Sequence, residues 1–393
     1  MARRVVVTGL GVVAPCGIGQ DDFWAGLLAA PPQGERRVTG FDPEPWFDSP
    51  KDARRTDRFA QFALAAAGMA LDQAGELDAN PAKVGVVMGT GIGGLATLEE
   101  QILVYYQKEP RRVSPFLVPM MMANAGSAAI SMRYGFAGPC STTVTACAAS
   151  THAIGDAYRF VREGRCDVMI CGGSEAAMTP VGMQGFQNMT AMSKAGISRP
   201  FDRERDGFLM AEAAAVLVLE DLDRAVARGA TILGEVLGQA NTADAYHITA
   251  PSPGGAGAVA CMELALHDAG LEPADIVHIN AHGTSTPLND AAEAEAIVKV
   301  FGTPGPVVTS TKGVTGHALG AAGAIEAAAV LLSMQHRLVP PTAGTAALDP
   351  EMPTIDLVLG AEARPWEPGP SLSNSFGFGG HNGTLVLGPT PKR

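Results

Sequence analysis

No apolar run in this 393-residue chain reaches the length of a membrane span. Its opening stretch, MARRVVVTGL, passes directly into a strand pattern. The expectation is a cytoplasmic protein with no membrane partner. The six cysteines (Cys16, Cys140, Cys147, Cys166, Cys171 and Cys261) show neither disulfide-framework nor metal-ligand spacing. That suits reduced thiols and assigns no metal. Charged residues make up only 17%, with a net charge of −12, which argues against nucleic acid as the main partner. An acidic partner would need a local basic patch. Two glycine motifs are incomplete. Gly9-Leu10-Gly11 lacks the third glycine and the spaced acid of a dinucleotide site, and the loop Gly89 to Gly94 lacks the Gly-Lys-Ser/Thr ending of a phosphate cradle.

What is present is apolar: 47% of residues are hydrophobic and 47 are glycine. Such a chain can bury a large core, in two domains or two fused halves. The pattern alternates buried-strand runs with alanine-rich helices. The β-prone run Ser141 to Thr145 stops just before Cys147. A helix-period segment follows, with Ile154, Ala157, Tyr158 and Val161 on one face. Cys147 is therefore expected at a helix N-terminus, where unpaired amides and the helix dipole favour thiolate over thiol. A buried structural cysteine is the competing reading.

The chain then repeats this logic. Strand Ile276 to Asn280 breaks at Ala281-His282-Gly283-Thr284-Ser285-Thr286. Strand Val307 to Ser310 breaks at Thr311-Lys312-Gly313-Val314-Thr315-Gly316-His317, before a long helix over 318–335. The fold expected is α/β, with two duplicated βαβ-type halves, residues 1–233 and 234–393, and a site where their polar turns converge. Glu326 is the one charge inside the 318–335 helix, so it needs a counter-ion, for which Lys312 is available. Asp290 is a further candidate carboxylate. The stretch Ser373 to Asn382 alternates glycine with Phe376 and Phe378, a backbone that can swing a ring and turn its amides toward an oxyanion.

The segments TACAAS (145–150), NAHGTST (280–286), STKGVTGHALGAAGAIE (310–326) and NSFGFGGHN (374–382) closely resemble the β-ketoacyl-[acyl-carrier-protein] synthase II family of the thiolase superfamily. The resemblance runs from Val5 to the last strand. It implies a thiolase-like fold layered αβαβα, and decarboxylative Claisen condensation of an acyl group with malonyl-ACP. Cys147 would be the nucleophile. His282 and His317 would hydrogen-bond the malonyl thioester carbonyl as CO2 leaves. Lys312 would order the site with Glu326 and Asp290, two carboxylates also counted among the substrate-binding residues, and the amides of Cys147 and Phe378 would hold the oxyanion. Thr284, Thr286 and Phe376 would contact substrate, the two threonines at its phosphopantetheine arm. That arm is carried by the acyl carrier protein, so no cofactor of the chain's own is implied. The basic turn Lys51, Arg54 and Arg55, an ordinary solvated helix start by itself, matches a docking patch for the acidic carrier.

The chain departs from the family in three places. Ala211, Ala213 and Ala215 stand where the family shows a glycine-rich GEGAG. His381 stands where many members have threonine, and the 31–50 segment is shorter than usual. A thiolase would need a second cysteine near the C-terminus, and the last here is Cys261. A chain-length factor would lack Cys147, and a synthase III-type enzyme would pair the cysteine with His and Asn. The remaining alternative is the catalytic subunit of a type II polyketide or polyene synthase. It would share every catalytic residue but form a heterodimer with a chain-length factor in place of a homodimer.

Overall fold

The computed structural model describes residues 2–32 and 34–391. Its duplication is visible in the strand order. The first half contributes Val5–Ala14, Val84–Gly89, Cys140–Thr143, Val168–Glu175 and Ala213–Asp221. The second contributes Gly234–Ala243, His278–Asn280, Val307–Thr309, Ser371–Gly377 and His381–Gly388. Counting the five strands of each half in chain order, both halves arrange them third, second, fourth, fifth, first. In both, the second strand runs parallel to the third and the fourth, while the fifth is antiparallel to the fourth and the first. The halves join where Val5, Val6 and Val7 pair antiparallel with Val236, Glu235 and Gly234.

Five layers follow from which helix each sheet face carries. Helix Arg58–Ala74 covers the outside of the first half, and Ala256–Ala269 covers the outside of the second. Helices Ala149–Arg162 and Ala322–His336 pack on each other and on strands of both halves, forming the middle layer. The composition explains the middle layer. Every residue from Ala322 to Met334 is buried, as a helix apolar on every side but for Glu326 and Ser333 requires. Close approach also explains the paired glycines of the first strand: a Cβ on Gly9 would lie 2.1 Å from the Ala70 carbonyl oxygen, and one on Gly11 2.0 Å from that of Ala66.

The helix expected from residue 318 begins at Ala322, because Leu319 adopts a positive φ of 44° and a short turn, Leu319–Ala321, comes first. The alanines at 211, 213 and 215 are buried without disturbing the strand pairing. No helix among the described residues is long and apolar enough to cross a membrane.

Candidate active site

Cys147 sits where the first half's third strand gives way to the middle-layer helix. Ala146, at φ 49°, turns the chain sharply, and Cys147 lies in the single turn Ala146–Ala148 ahead of Ala149–Arg162. A positive φ is costly for a residue with a Cβ, and alanine keeps the crowding small. The turn is braced from beside it. His152 donates Nε2–H to the Asn382 carbonyl at 2.9 Å, which leaves its Nδ1 to accept from Thr145 Oγ1 at 2.9 Å.

The thiolate expected from the helix terminus is not what the surroundings favour. Burial pushes the Cys147 thiol up to about 12, and Lys312 and the Phe378 amide offset this only in part. A short turn of unpaired amides does not replace the lost water. The group poised to act on the thiol is His317, whose Nε2 lies 3.0 Å from Sγ. Burial and Lys312 hold His317 well below the ordinary histidine range, so it is a neutral acceptor.

His282 follows the second half's second strand and is held through its backbone. Its amide donates to Glu293 Oε1 at 2.7 Å, and the Gly283 amide donates to Oε2 at 2.8 Å. Lys312 Nζ donates to the His282 carbonyl at 2.5 Å and sits 3.4 Å from Nδ1. With a donor facing Nδ1, the neutral ring carries its proton on Nε2, a tautomer assigned here from the hydrogen bonding. Burial, with Lys312 and His317, keeps this ring uncharged too. The two imidazole centroids are 5.3 Å apart.

Lys312 and Glu326 form a buried ion pair behind the histidines. Burial pushes the Glu326 carboxyl upward against the pull of Lys312. Two expectations change here. Glu326 and Asp290 were expected among substrate-contacting residues, but both are buried outside the cavity. Asp290 does not touch Lys312 either; it accepts from the amides of Phe201 at 2.8 Å and Ser285 at 3.1 Å, bracing a loop.

The cavity itself, about 350 Å³, is lined by Cys147, His282, His317, Thr284, Thr286, Phe376 and Phe378, with Phe186, Phe208 and Leu319 supplying apolar wall. Thr284 and Thr286 share a hydroxyl hydrogen bond of 2.9 Å. A Cβ on Gly377 would stand 3.0 Å from the Cys147 nitrogen and 3.2 Å from that of Ala148, so only a glycine leaves that space open. Lys51, Arg54 and Arg55 are exposed and form no salt bridge among the described residues. Arg55 lies 4.2 Å over the Phe116 ring.

Sequence reasoning missed Glu293, Glu175 and His152. Glu175 is fully buried, accepts from the Gly91 amide at 2.6 Å and the Gly320 amide at 3.1 Å, and so ties the Gly89–Gly94 loop to the turn after His317. Burial pushes its carboxyl up to about 7 against these donors. Its signal in the sequence was a carboxylate ending an apolar strand.

Residues 2–225 match the family description "Beta-ketoacyl synthase, N-terminal domain", and residues 233–346 match "Beta-ketoacyl synthase, C-terminal domain". The chain is 46% identical to 3-oxoacyl-[acyl-carrier-protein] synthase 2 of a Synechocystis species over 98% of each chain. It is 42% identical to the Staphylococcus aureus protein of that name, also over 98% of each. Among solved structures it is similar to the ishigamide ketosynthase/chain length factor, with TM-score 0.93, 34% identity and full coverage of both chains. It is also similar to a type II polyketide ketosynthase solved with its acyl-carrier protein, with TM-score 0.91, 31% identity, and coverage of 99% of this chain and 100% of that one.

Proposed function

This chain belongs to the β-ketoacyl synthase family, and from that premise we propose that it is a 3-oxoacyl-[acyl-carrier-protein] synthase that lengthens a fatty-acyl chain by two carbons. The observation that carries the reading is the convergence of Cys147, His317 and His282 from three distant segments on one cavity with an apolar wall.

In the first step Cys147 Sγ attacks the thioester of acyl-carrier protein and His317 Nε2 takes the thiol proton. The carrier's C–S bond breaks, His317 passes that proton to the departing sulfur, and the carrier leaves as its free thiol. In the second, malonyl-carrier protein loses CO2. The electrons of the broken C–C bond pass into an enolate whose oxygen accepts from His282 Nε2–H and from His317, whose neutral ring carries its proton on Nε2 once the sulfur is acylated and no longer donates to it. Donors already aimed at developing charge are worth roughly 10²–10³ in rate each. The enolate carbon then attacks the acyl-Cys147 carbonyl, and the oxyanion rests on the amides of Cys147 and Phe378. Collapse breaks the C–S bond to Cys147, releasing 3-oxoacyl-carrier protein and a thiolate that regains a proton from solvent through His317. Lys312 and Glu326 fix His282 from behind and touch no substrate. The phosphopantetheine arm belongs to the carrier, passes Thr284, Thr286 and Phe376, and brings the only prosthetic group the reaction uses.

A homodimer is the assembly proposed. The strand Cys140–Thr143 is a sheet edge, with Val144 and Met132 beside it about half and three-quarters exposed (51% and 78%), the kind of edge a second strand covers. The polyketide reading shares the site but has the weaker support, 34% identity against 46%.

The test is intact-mass measurement after mixing the single purified chain with acyl- and malonyl-carrier protein. The wild type should carry one acyl adduct and release a 3-oxoacyl product two carbons longer, and Cys147→Ala should do neither. An adduct surviving on Cys147→Ala would overturn the nucleophile. Turnover only after adding a homologue that lacks the cysteine would move the chain to the polyketide class.

A further inference from the structure

Arg36 is buried, 3% exposed, yet no carboxylate pairs with it among the described residues. Its Nη1 donates to the carbonyls of Pro32 at 2.5 Å and Gly34 at 2.9 Å, and Nη2 donates to the Gly313 carbonyl at 3.2 Å. Nε has no partner. Burial holds this guanidinium below its ordinary value, the direction expected of a charge without a counter-ion. A buried unpaired cation is expensive, and apolar replacements of buried charges are often neutral or stabilising. Stability alone is therefore a poor account of this residue.

Its position gives a better one. Gly313 lies one residue after Lys312 in the turn Lys312–Thr315, and His317 follows two residues after that turn. The aliphatic part of Arg36 packs under the next residue: a Cβ on Gly316 would meet Arg36 Cγ at 2.7 Å. The backbone carries the same connection. Arg36 pairs with Ala211 in an isolated bridge, the Ala211 amide donates to the His317 carbonyl at 3.0 Å, and the His317 amide donates to the Leu209 carbonyl at 2.7 Å. Arg36 thus grips the turn that carries Lys312 and His317 at both its carbonyl and its base.

We propose that Arg36 is a positioning residue for the condensation site, a strut that holds the Lys312–His317 turn so that the His317 ring meets the Cys147 sulfur. This rests on the condensing-enzyme reading above, and it locates the control of that geometry in the proline-rich 31–50 segment, outside the four motifs that mark the site. The strut acts through His317, so its effect should vanish when His317 is gone.

A double-mutant cycle on the full chain tests this, with two readouts. One is alkylation of Cys147 by iodoacetamide, followed by mass spectrometry, and the other is turnover with carrier-bound substrates. Arg36→Met should slow both by about tenfold, the scale of a displaced reacting group, while KM stays within about twofold. In a His317→Ala background, Arg36→Met should change alkylation by less than about twofold. Arg36→Lys, which keeps one donor toward Gly313, should recover part of the loss, and it enters the same cycle if Arg36→Met fails to fold. No loss in the single variants, or an undiminished loss in the His317→Ala background, would overturn the role. Alkylation needs no carrier protein. A normal alkylation cycle in a chain that never condenses would therefore strike the functional reading and leave the strut standing.

Discussion

His317 Nε2 lies 3.0 Å from the sulfur of Cys147, and burial favours the uncharged form of both groups. The thiol is pushed up to about 12 by burial, so the thiolate fraction at neutral pH is small and grows about tenfold per pH unit below that value. Alkylation of Cys147 by iodoacetamide should accordingly climb from about pH 6 to about pH 10 with no plateau. His317→Ala should lower the rate throughout, because the thiol loses its acceptor. A plateau reached below about pH 8 would instead mean a thiolate at rest, as the helix-terminus argument expected.

The difference between those two outcomes shows where sequence reasoning stops. The turns that end strands at Cys147, His282 and His317 are legible because a buried strand breaking into polar residues is a local pattern. So is the duplication, since each half repeats the same succession of strands and alanine-rich helices. What is not legible is what each side chain meets. Glu293 reads as one charge among several on helix Pro287–Phe301, and only the fold shows both its oxygens on the amides of His282 and Gly283. Glu326 could be paired with Lys312 because an isolated carboxylate in an apolar helix demands a cation. Asp290 passed the same test of charge and failed on geometry, because it accepts from the backbone amides of Phe201 and Ser285 and from the Asn289 side chain, and the cation near it, at 4.0 Å, is Arg205 rather than Lys312. The raised Cys147 thiol has the same origin: helix position is local, whereas desolvation belongs to the whole assembly of layers.

The buried pair Lys312–Glu326 can be separated into its stability and site-ordering roles. Lys312→Met strands a carboxylate with 2% exposure, at a cost of about 3–5 kcal/mol. The double variant Lys312→Met/Glu326→Leu should regain most of that in urea unfolding, since no charge is then left unpaired. Turnover should stay low in the double variant, because the His282 carbonyl and Nδ1 have still lost their donor. Recovery of turnover along with stability would reduce the pair to packing.

Docking should be read at Arg54 rather than Arg55, whose guanidinium also stacks on Phe116. On a chain of net charge −12, an acidic carrier docking at this turn would depend on its local positive charge. Arg54→Glu should therefore raise KM for acyl-carrier protein by about tenfold at low salt. The gap between variant and wild type should narrow as screening shortens the range of the charge. Alkylation of Cys147 should be unchanged, since Arg54 is exposed and lines no part of the cavity. Equal KM values at low salt would remove the patch from the docking surface.

An oxyanion on the Cys147 and Phe378 amides needs the open space beside Gly377, and that space can be filled. Gly377 has φ −103° and ψ 159°, a conformation any residue adopts, so alanine brings no backbone strain. Its methyl would instead press on the Cys147 amide nitrogen at 3.0 Å and the Ala148 nitrogen at 3.2 Å. If the tetrahedral oxygen rests on the Cys147 and Phe378 amides, Gly377→Ala covers one donor and pushes the Phe378 loop from the other. The expected cost is about 10²–10³ in kcat, with a melting temperature close to that of the wild type. The acyl adduct on Cys147 should still form, but more slowly, because both half-reactions pass through an oxyanion on the same carbonyl. A variant that acylates and condenses at wild-type rates would place the oxyanion elsewhere in the cavity and leave the amides of the Phe378 loop with a structural role only.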